Sequence, residues 1–356
     1  MYPMKKWIWL LLAVLVAFAA VGSSGFLTQF QQPAVIETGK VENSNPVKEN
    51  TEKLTASSPP PVSAQKLFAH IQNLNFKRYT DPERSRTRTY ITSQLKKFGW
   101  KPQLQKFSEG VNIFAERQGT DKQAGAILVG AHYDTVAISP GADDNATGIA
   151  VLLEIARILG SRPTPRTLQL AFFDKEEVGL LGSQAFTQKA ANLQNLHGAI
   201  VMDMVGYACY TPGCQQYPTS IPVTPPSDKG DFLAVVGDTE HLQLLNAFQN
   251  SQVISPTSLN KAETLSPTSL KKGDVNLPPV LTLPIPFKGL LTPDTLRSDH
   301  APFWLQGVGA VLITDTANLR TPHYHQASDT PSTIERSFFT GAAQVVVNAT
   351  NFLLAN

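Results

Sequence analysis

From Ala64 onward the chain alternates between two hydrophobic rhythms. Apolar side chains recur at helical spacing over Ala64–Leu74 and Arg84–Phe98, and strand-like runs follow near Gln103–Phe107 and Asn112–Glu116. Ala126–Ala131 is the first strongly apolar run. Helical spacing returns over Gly148–Leu159, through Ile149, Leu152, Leu153, Ile155, Ala156 and Leu159. Leu168–Phe173 reads as a strand, a helix is predicted from about Ser183, Gly198–Met202 reads as a strand and His241–Asn250 as a helix. Late strands are expected at Pro279–Leu283 and Gly309–Ile313, and a last helix over Ile334–Leu354. Continuous apolar strands alternating with helices belong to a sheet buried on both faces. The expectation is an α/β fold with a mainly parallel, mixed central sheet and helices on both sides. No internal repeat is visible. Two stretches rich in Pro, Thr and Ser, Tyr210–Lys229 and Ser255–Pro279, break the rhythm. Long irregular segments of this kind either decorate a surface or shape a substrate cleft.

The N-terminal part follows neither rhythm. Lys5 and Lys6 precede an unbroken apolar run, Trp7–Val21, and the small residues Gly22-Ser23-Ser24-Gly25 come next. A basic head, a short apolar core and small residues make an export signal. Extending the run to Leu27 brings it near the roughly 20 residues that cross a bilayer. Residues 1–30 are therefore expected to be a signal peptide or an N-terminal membrane anchor. Either places the body outside the cytoplasm: periplasmic, extracellular or membrane-anchored. Residues 31–63 carry few large apolar side chains and no periodicity, and cannot bury enough surface to offset their ordering entropy. They read as a disordered linker, which leaves 64–356 as the working domain.

Composition narrows the function. A hydrophobic fraction of 42% suits a domain with a real core. The formal charge of +2 comes from 30 basic and 28 acidic residues with no basic block, so a nucleic-acid partner is not expected. Two cysteines occur, in Cys209-Tyr-Thr-Pro-Gly-Cys214. The Pro-Gly turn can bring the sulfurs together and export favours oxidation, so a disulfide is the favoured reading and two free thiols the alternative.

Ligands of open α/β sheets bind at the carboxyl ends of the parallel strands, and acids and histidines fall at those ends. His132-Tyr133-Asp134 directly follows the strand ending at Ala131. Gly141-Ala-Asp-Asp-Asn-Ala-Thr-Gly148 leads into the next helix. Glu176-Glu177 follows Phe173, Asp203 follows Met202, and His325 lies beyond Ile313. Zinc takes imidazole nitrogen and carboxylate oxygen, and two zinc ions can share one bridging carboxylate and a bridging water. Two His, two Asp and one Glu would leave positions open for water and substrate. Of adjacent glutamates on an extended backbone, one can bind metal while the other takes the proton of the water. Asp134 is placed to accept the second N–H of His132. Taken singly, Asp143, Asp144 or Asn145 could each be a helix cap near Gly148; five ligand types at successive strand ends favour the metal. Asn145-Ala-Thr147 and Asn348-Ala-Thr350 also fit the glycosylation pattern, which is common by chance.

These segments, together with Phe172-Phe-Asp-Lys-Glu-Glu-Val-Gly-Leu-Leu-Gly-Ser183, Ser298-Asp-His-Ala-Pro-Phe303 and Tyr324-His325, resemble the co-catalytic di-zinc aminopeptidases. Relatives in that family include glutaminyl cyclases and glutamate carboxypeptidases. The resemblance runs from about Ala64 to the C-terminus and implies a zinc-peptidase fold. It implies two Zn2+ per chain: Asp144 bridging, His132 and Asp203 completing one site, Glu177 and His325 the other. It implies Glu176 as general base on the metal-bridging water, Tyr324 as a donor to the oxyanion, and a cis peptide between Asp144 and Asn145. Asp299 matches an acidic position near substrate in some relatives, with helix capping an equal competitor. The implied activity is removal of N-terminal, apolar residues from peptide substrates. No acidic residue stands out to grip a free α-amine, so exopeptidase action follows from the resemblance alone. A glutaminyl-peptide cyclase and a non-catalytic ectodomain of the same fold are the alternatives. A serine hydrolase is disfavoured because no Gly-x-Ser-x-Gly elbow occurs.

Overall fold

The computed structural model describes residues 59–218, 227–250 and 275–356. The expected export segment, nearly all of the expected linker and the centres of both irregular stretches, 219–226 and 251–274, lie outside the described residues.

Two helices open the described chain, α1 (Ala64–Asn73) and α2 (Asp81–Lys97). Ser63 caps the first, accepting from the Lys66 amide. In the second, Glu83 reaches back to the Thr80 amide at 2.7 Å, and Pro82 sits in the first turn, where a missing N–H costs nothing. The expected linker ended at Ser63, yet packing already begins at Val62. Its side chain is buried in the core and its amide donates to Gln344 Oε1 at 2.8 Å. One apolar residue with a place in the core is ordered whatever the composition before it.

Eight strands form one sheet in the order β1-β2-β4-β3-β5-β8-β6-β7. They are β1 (Gln103–Lys106), β2 (Val111–Arg117), β3 (Ala126–His132), β4 (Thr167–Phe173), β5 (Leu196–Met202), β6 (Leu233–Asp238), β7 (Val280–Ile285) and β8 (Ala310–Thr314). The central four, β4-β3-β5-β8, are mutually parallel. β2 joins β4 and β6 joins β8 antiparallel, which makes the sheet mixed as expected. β6 was not foreseen. Its apolar run, Phe232–Val236, is only five residues long and closely follows the irregular stretch, and its direction is reversed from that of β8.

Every residue of β3 is buried. Ile127, Val129 and Ala131 point into one core, shared with α3 (Gly148–Leu159) and α8 (Arg336–Ala355). Leu128 points into the other, with Phe173, Phe186, Phe303 and Trp304 from the opposite cover, which includes α4 (Leu181–Thr187) and α7 (Ala301–Leu305). Between these helices α5 (Ala190–Leu193) precedes β5, and α6 (Leu242–Asn250) precedes β7. Each fully buried Leu, Ile or Val is worth about 1.5–3 kcal/mol, so this double-faced burial holds the strand ends in fixed register. The apolar helix α8 is long enough to cross a membrane, but it is mostly buried against the sheet and serves as core.

Candidate metal centre

The parallel strands β3, β4, β5 and β8 share one carboxyl edge, and the titratable residues collect there. His132 is the last residue of β3 and wholly buried. Asp144 hangs from the buried turn Ala142–Thr147 that enters α3. Its two carboxylate oxygens face different histidines: Oδ1 lies 3.3 Å from His132 Nε2 and Oδ2 lies 3.3 Å from His325 Nε2. Asp203 Oδ1 is 3.5 Å from His132 Nε2, and Glu177 Oε2 is 3.0 Å from His325 Nε2. Glu176 groups with His132 and Asp203, while Glu177 groups with His132 and Asp144. The two glutamates share His132 but differ in their other partners, Asp203 for Glu176 and Asp144 and His325 for Glu177, and they sit in a turn after β4, not on extended backbone.

These donors fit metal. Bonds of about 2.0–2.2 Å in a tetrahedron place neighbouring ligand atoms about 3.3–3.6 Å apart, close to the spacings seen here. Among the described residues His132 Nε2 and Glu177 Oε1 are buried without a hydrogen-bond partner, which native structures rarely permit unless something else satisfies them. The donor set, imidazole nitrogen with carboxylate oxygen, is that of zinc.

Crowding shifts the charges. Burial alone would lower the pKa of His132, but Glu176, Asp134, Asp144 and Asp203 raise it well above its usual value. His325 opposes its own partial burial in the same way through Asp144 and Glu177, reaching about 10. Burial raises Glu176 strongly and brings Glu177 to about 7, with Asp144 adding to the latter. Asp144 goes the other way: its two histidines outweigh burial and depress it.

Asp134 does not act as expected. Its Oδ1 is 3.5 Å from His132 Nδ1, beyond good hydrogen-bond length, while its two oxygens accept the backbone amides of Glu176 (3.0 Å) and Glu177 (3.3 Å). It ties the end of β3 to the glutamate turn. Asn145 braces the entry to α3, accepting the Gly148 amide at 3.0 Å and donating to Met202 O at 2.8 Å. The Asp144–Asn145 peptide is cis, as the resemblance implied. Both sequon asparagines, Asn145 and Asn348, are buried in the fold. Asp299 caps nothing: its carboxylate is fully buried, neither oxygen meets a donor in good hydrogen-bond geometry, and burial raises it to about 7. Tyr324 stacks on His325 at 3.8 Å between centroids, and its Oη accepts from Arg297 Nη2 at 3.1 Å. Cys209 and Cys214 are bonded, so the favoured pairing holds.

Several residues at the site carried no sequence signal. Asp329 accepts the Asp143 and Asp144 amides at 2.8 and 3.1 Å. Arg78, fully buried, donates to five main-chain carbonyls around the same loop. Arg297 reaches Tyr324 from the segment before Ser298-Asp299. Only the position of Asp329 a few residues after His325 could have drawn attention to any of them. Gly141 has φ +62°, and a Cβ there would come within 2.2 Å of Asp144 O, so the loop requires glycine. A second cluster, Asp238, Glu240 and His241, is already used: Asp238 Oδ1 takes the Glu240 amide and His241 Nδ1, and Lys288 pairs with Glu240.

A cleft of about 330 Å³ opens beside Asp144, Glu176, Glu177, Asp203 and His325. One wall is apolar, built from Phe232, Ala234, Val236, Leu281, Leu283 and Leu312 of the β6–β7–β8 side. Tyr324 and Arg297 stand on its rim, with Gln215, Gln216 and Tyr217 from the segment after the disulfide.

The chain is thus an α/β protein whose mixed sheet carries a buried His/Asp/Glu cluster at its parallel carboxyl edge, open to a cleft. Residues 112–226, roughly a third of the chain, match Peptidase family M28. Over those residues the chain is similar to the zinc peptidase family that its motifs resemble. It is 34% identical over 240 residues to "uncharacterized protein YfbL" of Escherichia coli (strain K12), covering 62% of this chain and 64% of that one. It is 40% identical over 87 residues to the aminopeptidase YwaD of Bacillus subtilis (strain 168), covering 24% of this chain and 19% of that one. The matches thus span less than two thirds of the length of these relatives. Among solved structures it resembles the Legionella pneumophila LapA aminopeptidase, with a TM-score of 0.60 at 17% identity over 83% of this chain and 73% of that one. At that identity the likeness concerns the fold.

Proposed function

We propose that this chain is a zinc-dependent aminopeptidase that releases apolar N-terminal residues from peptides. The observation that carries the reading is Asp144, whose two oxygens each face one histidine at 3.3 Å. His132 and Asp203 would hold one ion and Glu177 and His325 the other, with Asp144 serving both. Zinc in such a site supplies Lewis acidity toward a carbonyl and lowers the pKa of water. The chain's own groups do the rest. Glu176, beside His132 and Asp203 and outside the inferred ligand set, takes the proton from the attacking water and passes it to the leaving amine. The Tyr324 hydroxyl, held by Arg297, donates to the carbonyl oxygen as charge develops there. The apolar wall of the cleft receives an aliphatic or aromatic substrate side chain and excludes water. The same reading takes Trp7–Val21 as an export segment that leaves the catalytic body outside the cytoplasm. A reporter active only in the cytoplasm, fused after Ser63 and found active, would overturn that location.

The test is hydrolysis of a panel of aminoacyl-anilides by the purified full chain, with metal analysis, with and without chelator. The expected result is about two zinc per chain, preference for leucyl over charged anilides, loss of activity with chelator and recovery on zinc return. Activity in protein free of metal ends the reading. Cyclisation of glutaminyl peptides at about one zinc per chain would replace it with the cyclase.

A further inference from the structure

Arg78 lies between α1 and α2, wholly buried, in a position that the metal-type residues do not predict. Its Nε donates to Tyr133 O at 2.8 Å, and Nη2 donates to Gly141 O at 2.8 Å. Nη1 donates to Leu74 O at 2.7 Å, Pro140 O at 2.7 Å and Phe76 O at 3.2 Å, while the Arg78 amide donates to Thr135 Oγ1 at 3.0 Å. Tyr133 directly follows His132, and Gly141 comes three residues before Asp144. A single guanidinium therefore fastens both ends of segment 133–141, which joins one histidine of the site to the carboxylate that faces both histidines.

The chemistry of that grip is specific. A guanidinium offers five N–H groups in a rigid plane, so it can hold several carbonyls at fixed separations, whereas an ammonium is a compact point with three rotatable donors. Burying a charge whose hydrogen bonds all go to neutral carbonyls is costly unless opposite charge lies nearby. The carboxylates whose charges act on it are Asp329, Asp144, Asp134 and Glu177, in that order. All four belong to the site or to the residues that brace it. Asp329 grips the same loop from the other side through the amides of Asp143 and Asp144.

We propose that Arg78 is a positioning residue of the metal centre: by fastening both ends of segment 133–141 it sets the separation of His132 and Asp144. This rests on the metal-centre reading above. A residue that merely closes the core would stabilise the metal-free and metal-loaded protein equally. A residue that positions donors is coupled to the metal, and its loss weakens metal binding itself.

The experiment uses the full chain with Arg78→Lys and Arg78→Met. Zinc affinity is measured by competition with a chromogenic chelator, and denaturant unfolding is followed with and without zinc. The expected result is zinc affinity at least about tenfold weaker in both variants, the size seen when groups that orient metal ligands are removed. The Lys variant should not be rescued by its retained charge, and zinc should raise the stability of both variants less than that of wild type. Variants that unfold more easily without zinc yet bind it as tightly as wild type make Arg78 a scaffold residue and overturn the proposal. Failure of both variants to fold even with zinc present overturns it equally. A wild-type chain with no zinc affinity removes the metal-centre reading itself, and the proposal with it, a result distinct from variants that bind like wild type.

Discussion

The Asp134 carboxylate accepts the backbone amide of Glu176 at 3.0 Å, joining the end of β3 to the turn after β4. Because the same carboxylate also takes the Glu177 amide, the two adjacent glutamates are held as one unit while their side chains differ in their partners beyond His132. Glu177 meets His325; Glu176 stands with His132 and Asp203. That divergence makes the two roles separable by mutation.

Glu176→Gln keeps size and hydrogen-bonding shape but removes the base. General-base catalysis contributes about 10²–10⁴-fold, so kcat should fall by at least about two orders of magnitude with zinc content near wild type. Glu177→Gln should lose zinc and activity together. If both glutamates only solvate their turn, each change costs at most about 1 kcal/mol of stability and leaves kcat nearly intact. Steady-state kinetics with metal analysis separates the outcomes.

Tyr324→Phe removes only the hydroxyl that Arg297 holds. A donor aimed at developing charge acts in the transition state, and losing one costs about 10²–10³-fold in kcat. The expected result is a fall in kcat of at least about tenfold with KM little changed, since stacking on His325 needs only the ring. A variant that changes KM alone would reduce Tyr324 to a wall of the cleft.

His70 in α1 is buried against Tyr90, with Nδ1 2.7 Å from the phenol oxygen, and burial lowers its pKa to about 4, although Glu154 pulls upward. The unfolded chain takes up this proton below about pH 6.5, whereas the folded chain waits until about pH 4. The stabilisation is therefore complete above pH 6.5 and is lost as pH falls towards 4, by roughly 3 kcal/mol in all. His70→Gln should flatten the stability profile across that window, as read by denaturant unfolding at pH 4 to 7. An unchanged difference between the two pH limits would contradict the assignment.

The Cys209–Cys214 bond closes a loop of only a few residues. Chain-entropy arguments give such a loop about 2 kcal/mol, so replacing both cysteines by serine should lower global stability modestly. The larger effect should fall locally, on Gln215, Gln216 and Tyr217 at the rim of the cleft, as a higher KM or faster local proteolysis. Thiol labelling of the unfolded, unreduced protein should find no free cysteine.

The pattern along the chain was enough to predict most of this architecture. Ala126–Ala131 and Leu168–Phe173 are apolar because their strands are buried on both faces, and period-free apolar runs of that length have few other homes. The convergence of the candidate site was legible for a related reason: short motifs near strand ends, His132, Asp144, Glu176-Glu177 and Asp203, are brought together by parallel strands that all point one way. What the tertiary structure alone decided lies in contacts between distant segments. Leu233–Asp238 is a strand because β8 and β7 offer it edges, and its reversed direction creates the mixed half of the sheet that walls the cleft. Arg78, Asp329 and Arg297 look in sequence like ordinary surface charges. Folding buries Arg78 and Asp329 against main-chain carbonyls and amides and brings the exposed Arg297 to the Tyr324 phenol, and no local pattern records which distant groups those will be.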